Sequence, residues 1–262
     1  MIGKTLGPVL LGYYAFAYGM FMTPLIESSL IVGRVSFAAF ARLQEDAQKL
    51  RQGFLMTTRY MAFFMFPALF GLFLVTPDLI QVLFGPKWMP AVPVLRMLLV
   101  AGILQAYGNI WTSVVQAMGR PDWLFKLSVV SACIYVPAFF IGLRWGIVGV
   151  AAGYTASTLV LVPVQFAMLQ RLIGVGMAEY VGVLSPVALA SAIMGGCVVA
   201  SQGWLTAHGV HAPLRLAGAI AVGIVTYLVA ILLVRRELVV GLVRIANEMR
   251  HPPRAVLAEE VP

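Results

Sequence analysis

Long apolar runs, separated by short stretches that carry the charges, prolines and glycines, set the pattern of this chain. They predict seven spans, at about 10–32, 55–75, 95–117, 123–143, 147–170, 182–203 and 214–234. Each has at least the roughly 20 residues that a helix needs to cross about 30 Å of hydrocarbon. Long alternation of period two is absent, which argues against a transmembrane barrel. A backbone in lipid must then close its hydrogen bonds within helices. The expected fold is all-α and integral to the membrane, with residues 1–234 forming the helical bundle.

The connections predict smaller features. Residues 76–94, TPDLIQVLFGPKWMPAVPV, read as a long loop with a short interfacial helix and Trp88 as its anchor. The stretch from Arg42 to Arg51 mixes both charge signs and reads as a solvated turn. Leu238, Leu242, Ile245 and Met249 stand at helical spacing among arginines, so 235–250 reads as a basic amphipathic helix on an anionic leaflet, with a disordered tail after it. Gly142, Gly146, Gly149 and Gly153 repeat every three or four residues, a spacing that lets two helices touch closely.

Composition agrees with the pattern: 61% of the 262 residues are hydrophobic and 11% charged, too apolar for a soluble domain. A net charge of +8 would suggest nucleic acid in a soluble chain, but here it is unevenly placed. Twelve Lys and Arg fall after the odd-numbered spans, from Arg42 to Arg254, and five at the opposite ends: Lys4, Lys87, Arg96, Arg144 and Arg215. The positive-inside rule then places the C-terminus in the cytoplasm and the N-terminus outside, with no nucleic-acid partner implied. An unprocessed start of MIGK facing outward is awkward, and the chain reads as the back part of something longer. Cys133 and Cys197 lie within apolar runs and read as small buried hydrophobes.

Polar residues inside the spans are the candidate chemistry. Glu27 sits mid-span, at a cost of about +2.5 to +3.5 kcal/mol against roughly −3 to −5 from the surrounding apolar residues, so it needs neighbours or water. Pro24, one turn earlier, predicts a kink. Glu27 faces a translocation cavity, bonds a neighbouring helix, or lies at the interface. Gln105, Asn109, Thr112 and Gln116 are spaced four, three and four, a single helical stripe that faces either a hydrophilic cavity or partner helices. Thr155, Thr158 and Gln165 form a weaker stripe. Asp46, Asp78 and Asp122 read as turn formers or helix caps. No nucleophile, zinc spacing or phosphate loop is present, so the reading is transport or scaffolding rather than an enzyme, without cofactor or metal.

Three stretches carry a resemblance: LGPVLLGYYAFAYGMFMTPL with RVSFAAFARLQED, then LFGPKWMPAVPVLRMLLVAGILQA, then VVQAMGRPDW. Together they resemble the polysaccharide transporter, or Wzx-type, branch of the multidrug/oligosaccharidyl-lipid/polysaccharide exporter superfamily. The most distinctive pattern, Phe-Gly-x-x-Trp-x-x-Ala-x-x-x-Leu, is met by Phe84, Gly85, Trp88, Ala91 and Leu95, whereas Ala39 and Ala41 replace the usual Pro and Ser of the first. The resemblance implies an inner-membrane flippase for undecaprenyl-pyrophosphate-linked oligosaccharide in O-antigen, exopolysaccharide or capsule synthesis. It implies two lobes that alternate between inward-open and outward-open forms. This chain corresponds to the eighth to fourteenth of fourteen helices, so a separate N-terminal half or a second copy is an implied partner, beside the bilayer and the lipid-linked oligosaccharide. Arg34 then meets the pyrophosphate or merely anchors its helix end, and the Gln105 to Gln116 stripe meets sugar hydroxyls. The alternatives are an ion-coupled multidrug exporter with Glu27 as the titrating carboxylate, or an inactive scaffold from a split gene.

Overall fold

A computed structural model describes the backbone of residues 2–43, 46–105 and 108–236, with the side chains of 3–26, 40–43, 46–105 and 110–236. The described residues fold into helices α1 (Ile2–Thr5), α2 (Pro8–Leu43), α3 (Ala47–Leu83), α4 (Val92–Gln105), α5 (Gly108–Ala117), α6 (Pro121–Gly142), α7 (Gly146–Ile173), α8 (Met177–Ala207) and α9 (Ala212–Val234). Six stretches among them are long and apolar enough to cross a membrane. The fourth, Pro121–Ile173, is 53 residues long and turns back on itself. The reversal is a 3-10 turn at Leu143–Trp145 followed by Gly146 at φ 72°, in the left-handed region that glycine enters without strain.

Glycine also sets the spacing of that hairpin. A Cβ on Gly142 would lie 2.5 Å from the Gly149 carbonyl oxygen, and one on Gly153 would lie 2.7 Å from that of Ala138. The backbones of α6 and α7 therefore touch, as the small-residue spacing predicts.

Helix α3 extends well past its expected end. Thr76, Pro77 and Asp78 are helical rather than the start of a loop, and the connection shrinks to a 3-10 turn at Pro86–Ala91. The reason lies in what neighbouring helices supply. A proline lacks the N–H that would bond the carbonyl four residues earlier, and lipid offers no substitute. Pro77 frees the Phe73 carbonyl, which accepts from Arg96 Nε of α4 at 3.2 Å. Pro67 frees the Phe63 carbonyl, which accepts from the Tyr227 hydroxyl of α9 at 2.6 Å. Trp88 is likewise no free interfacial anchor, because its ring packs on Tyr13 and Phe16 of α2.

Helices α3, α8 and α9 form one block around Phe63, Val75, Val187, Met194 and Tyr227. At one end Arg51 of α3 donates to Glu179 of α8, with Nε at 2.9 Å from Oε2. At the other, Arg215 of α9 binds both carboxylate oxygens of Asp78, its Nε at 2.9 Å from Oδ2, and donates to Thr206 of α8 at 3.3 Å. Asp78 is thus a buried ion-pair partner inside a helix and not a turn former. Asp46 does cap α3, with Oδ1 accepting from the Gln48 and Lys49 amides at 3.1 and 3.0 Å. Asp122 lies in the first turn of α6, beside Lys126. A second core joins Phe21 and Leu25 of α2 to Leu95 and Leu98 of α4 and Val150 of α7. The expected amphipathic helix at 235–250 and the tail after it lie outside the described residues from 237 onward.

Candidate functional site

Between α2, α5, α6 and α7, at the end of α4, lies a cavity of about 510 Å³. That is ligand-sized. Its walls are apolar where Met22, Leu25 and Leu161 meet it, and aromatic at Trp111. Polar side chains converge at Gln105, Tyr135, Tyr154 and Thr158. None of the described lining residues carries a charge.

These four polar residues bond one another. Gln105 Nε2 lies 3.0 Å from Thr158 Oγ1, 3.1 Å from the Tyr154 hydroxyl and 3.3 Å from that of Tyr135. The Tyr154 hydroxyl in turn reaches Gln105 Oε1 at 3.2 Å. Thr158 Oγ1 donates to the Tyr154 carbonyl at 3.0 Å, which leaves Tyr135 to donate to Thr158 across 3.1 Å. The rings of Tyr135 and Tyr154 stack at 5.1 Å, 24° from parallel. Three helices are therefore tied at one polar point: α4 by Gln105, α6 by Tyr135, and α7 by Tyr154 and Thr158.

The residues singled out from sequence divide clearly. Gln105, Thr112 and Gln165 line this cavity. Gln105 ends α4 and Thr112 belongs to α5, and the residues between the two helices that the stripe would cross lie outside the described ones. Gln116 is exposed on α5 and is not part of the lining. The side chains of Glu27, Arg34 and Asn109 lie outside the described residues, although their backbones are helical. Thr155 does not serve the cavity; its hydroxyl bonds the Met97 carbonyl at 2.7 Å and packs α7 on α4. Sequence reasoning missed Ser131 and Tyr135 on α6 and Tyr154 on α7. Their four-residue spacings, 131 to 135 and 154 to 158, were the available clue.

A second cavity, of about 460 Å³, lies between α3, α8 and α9. Its walls include Phe64, Gly71, Met194, Gly223 and Ile224, and its Tyr227 hydroxyl is already committed to the Phe63 carbonyl. It has little with which to orient a polar ligand.

The wider resemblances fit this architecture. Residues 1–93 match the family described as "Polysaccharide biosynthesis protein". The chain is 32% identical over 183 residues to the Lipopolysaccharide biosynthesis protein WzxC of Escherichia coli (strain K12), covering 69% of this chain and 37% of that protein. It is similar to the polysaccharide transporter family. The Teichuronic acid biosynthesis protein TuaB of Bacillus subtilis (strain 168) is 31% identical over 231 residues, which is 87% of this chain and 47% of that one. The chain thus spans about half or less of the length of these relatives. Its fold is that of the Lipid II flippase MurJ, inward closed conformation, which superposes with a TM-score of 0.72 at 15% identity, over 88% of this chain and 48% of that structure. With six membrane-length stretches, the chain is a multi-pass membrane protein.

Proposed function

We propose that this chain forms one lobe of a flippase that moves undecaprenyl-pyrophosphate-linked oligosaccharide across the bacterial inner membrane, a transporter rather than an enzyme. The observation that carries the reading is the Gln105, Tyr135, Tyr154 and Thr158 cluster beside a ligand-sized cavity in an otherwise apolar bundle. Sugars cross hydrocarbon poorly, and hydrogen-bonding groups facing a hydrated path lower that barrier. Supporting it, WzxC is named for lipopolysaccharide and TuaB for teichuronic acid biosynthesis, while MurJ is a lipid II flippase. The excess of basic residues after odd-numbered spans supports a cytoplasmic C-terminus. Arg34 is the proposed partner of the pyrophosphate, and Glu27, Asn109 and Gln116 are proposed to border the hydrated path. A second copy or a separate N-terminal half would close the cavity.

The test is translocation of lipid-linked oligosaccharide into proteoliposomes containing the chain with and without the N-terminal half of a relative. Transport by the paired lobes supports the proposal, and none in either case sinks it. Arg34→Gln, inserted normally, should lower export; unchanged export would remove Arg34 from the pathway.

A further inference from the structure

The hydrogen-bond arithmetic of the polar cluster says what kind of group the cavity receives. An amide NH₂ has two hydrogens, and a hydroxyl has one hydrogen and two lone pairs. Thr158 spends its hydrogen on the Tyr154 carbonyl and its lone pairs on Gln105 and Tyr135. Tyr154 spends its hydrogen on Gln105 Oε1, and Tyr135 spends its own on Thr158. Gln105 Nε2 has three oxygens in reach for its two hydrogens. Every donor in the cluster is therefore committed, while Gln105 Oε1 and the Tyr135 oxygen each keep accepting capacity beside the cavity.

Such a site suits a ligand that brings its own hydrogens. Phosphate oxygens only accept, and at this cluster would meet saturated donors and, among the described lining residues, no charge to offset their own. A sugar edge supplies hydroxyl hydrogens, and the apolar face of its ring suits the aromatic surfaces of Tyr135, Tyr154 and Trp111. We infer that this cavity is a neutral subsite for one sugar ring of the transported glycan, with Gln105 Oε1 and the Tyr135 hydroxyl accepting from its hydroxyls. The pyrophosphate of the same lipid binds elsewhere. This inference rests on the exporter reading for its ligand, but its test does not depend on transport.

Trp111 lines the cavity and is 4% exposed, which makes its fluorescence a local probe. The full chain in lipid nanodiscs is titrated with the water-soluble oligosaccharide released from the producing cell's lipid-linked glycan, and separately with sodium pyrophosphate. The oligosaccharide should give a saturable change that Trp111→Phe abolishes, and pyrophosphate should give none. Tyr135→Phe, which deletes one oxygen, should weaken binding about three- to tenfold, and Gln105→Ala more than about tenfold. If Gln105→Ala fails to fold, Tyr135→Phe carries the test alone. No saturable response to oligosaccharide, equal affinity in the Tyr135→Phe variant, or a pyrophosphate response that competes with sugar would overturn the subsite. A chain that binds oligosaccharide yet translocates no lipid-linked sugar upholds the subsite and defeats the exporter reading.

Discussion

The α3, α8 and α9 block and the cavity walls built by α4 to α7 are both apolar, yet they use their polar groups in opposite ways. In the block, the main polar contacts run to the α3 backbone or to an opposite charge: Tyr227 to Phe63, Arg96 reaching in from α4 to Phe73, Arg215 to Asp78. In the cavity wall, side chains bond other neutral side chains and keep accepting capacity toward an open volume. The first arrangement repairs a helix that two prolines would otherwise weaken. The second leaves room for a ligand. Variants in the block should therefore lower stability and spare recognition, while variants in the wall should do the reverse.

The sharpest break comes from Asp78→Asn, which leaves the largely buried Arg215 without its counter-charge. A loss of about 3 kcal/mol is expected in thermal or denaturant unfolding of the detergent-solubilised chain, because removing one partner strands the other. Exchanging the pair, as Asp78→Arg with Arg215→Asp, should recover part of it. A loss below about 1 kcal/mol would mean that water already screens the pair.

Tyr227→Phe and Arg96→Met come next, at about 1–2 kcal/mol each, since a proline-freed carbonyl has no amide to fall back on. Typical hydrogen bonds between membrane helices contribute about 0.6 kcal/mol. Unfolding measurements at or below that figure would show that Phe63 and Phe73 find other donors. By contrast, Tyr135→Phe should cost only about 0.6 kcal/mol in the same measurement while weakening sugar binding. Equal behaviour of the Tyr227 and Tyr135 variants in both assays would erase the distinction between the two regions.

Smaller effects lie at the block's exposed end. Arg51 and Glu179 are 38% and 40% exposed, so Glu179→Gln should change stability by about 0.5 kcal/mol or less, and less still in high salt. Asp46 tests the cap of α3. The Lys49 backbone N–H, then its ammonium, holds the Asp46 carboxyl below the usual carboxylate range. A lowered carboxyl value stabilises the folded form above the unfolded pKa, and that contribution is lost as pH falls through the lowered value. Protection of the Gln48 and Lys49 amides, measured against their unstructured exchange rates, should therefore fall in strong acid, and Asp46→Ala should remove that fall.

Much of this architecture is legible in the chain because lipid imposes one rule, that apolar residues in sufficient number must be helical. The α6–α7 turn is visible in Gly142 and Gly146, whose spacing serves both the reversal and the contact. The continuation of α3 is not visible locally. Thr76-Pro77-Asp78 has the chemistry of a turn, and only Arg96 and Arg215, distant in sequence, make it helical. At the cavity, Gln105, Thr112 and Gln165 stand out as amides and hydroxyls in apolar runs, whereas Tyr135 and Tyr154 do not. A tyrosine in a membrane helix serves equally as interface anchor, core filler or ligand contact, and its neighbours decide which. Gln116 shows the converse, since periodicity placed it on the stripe and the end of α5 at Ala117 leaves it outside the cavity.

The backbone contact between α6 and α7 also bears on how the protein is made. With the Gly142, Gly149 and Gly153 positions closed against the opposite arm of the hairpin, no acyl chain can wedge between the two helices near their turn. The nascent chain would then enter the bilayer here as a preassembled pair, both segments leaving the translocon together. A bulky residue at Gly149 would show its damage during synthesis, as a topology error, before any ligand was ever encountered.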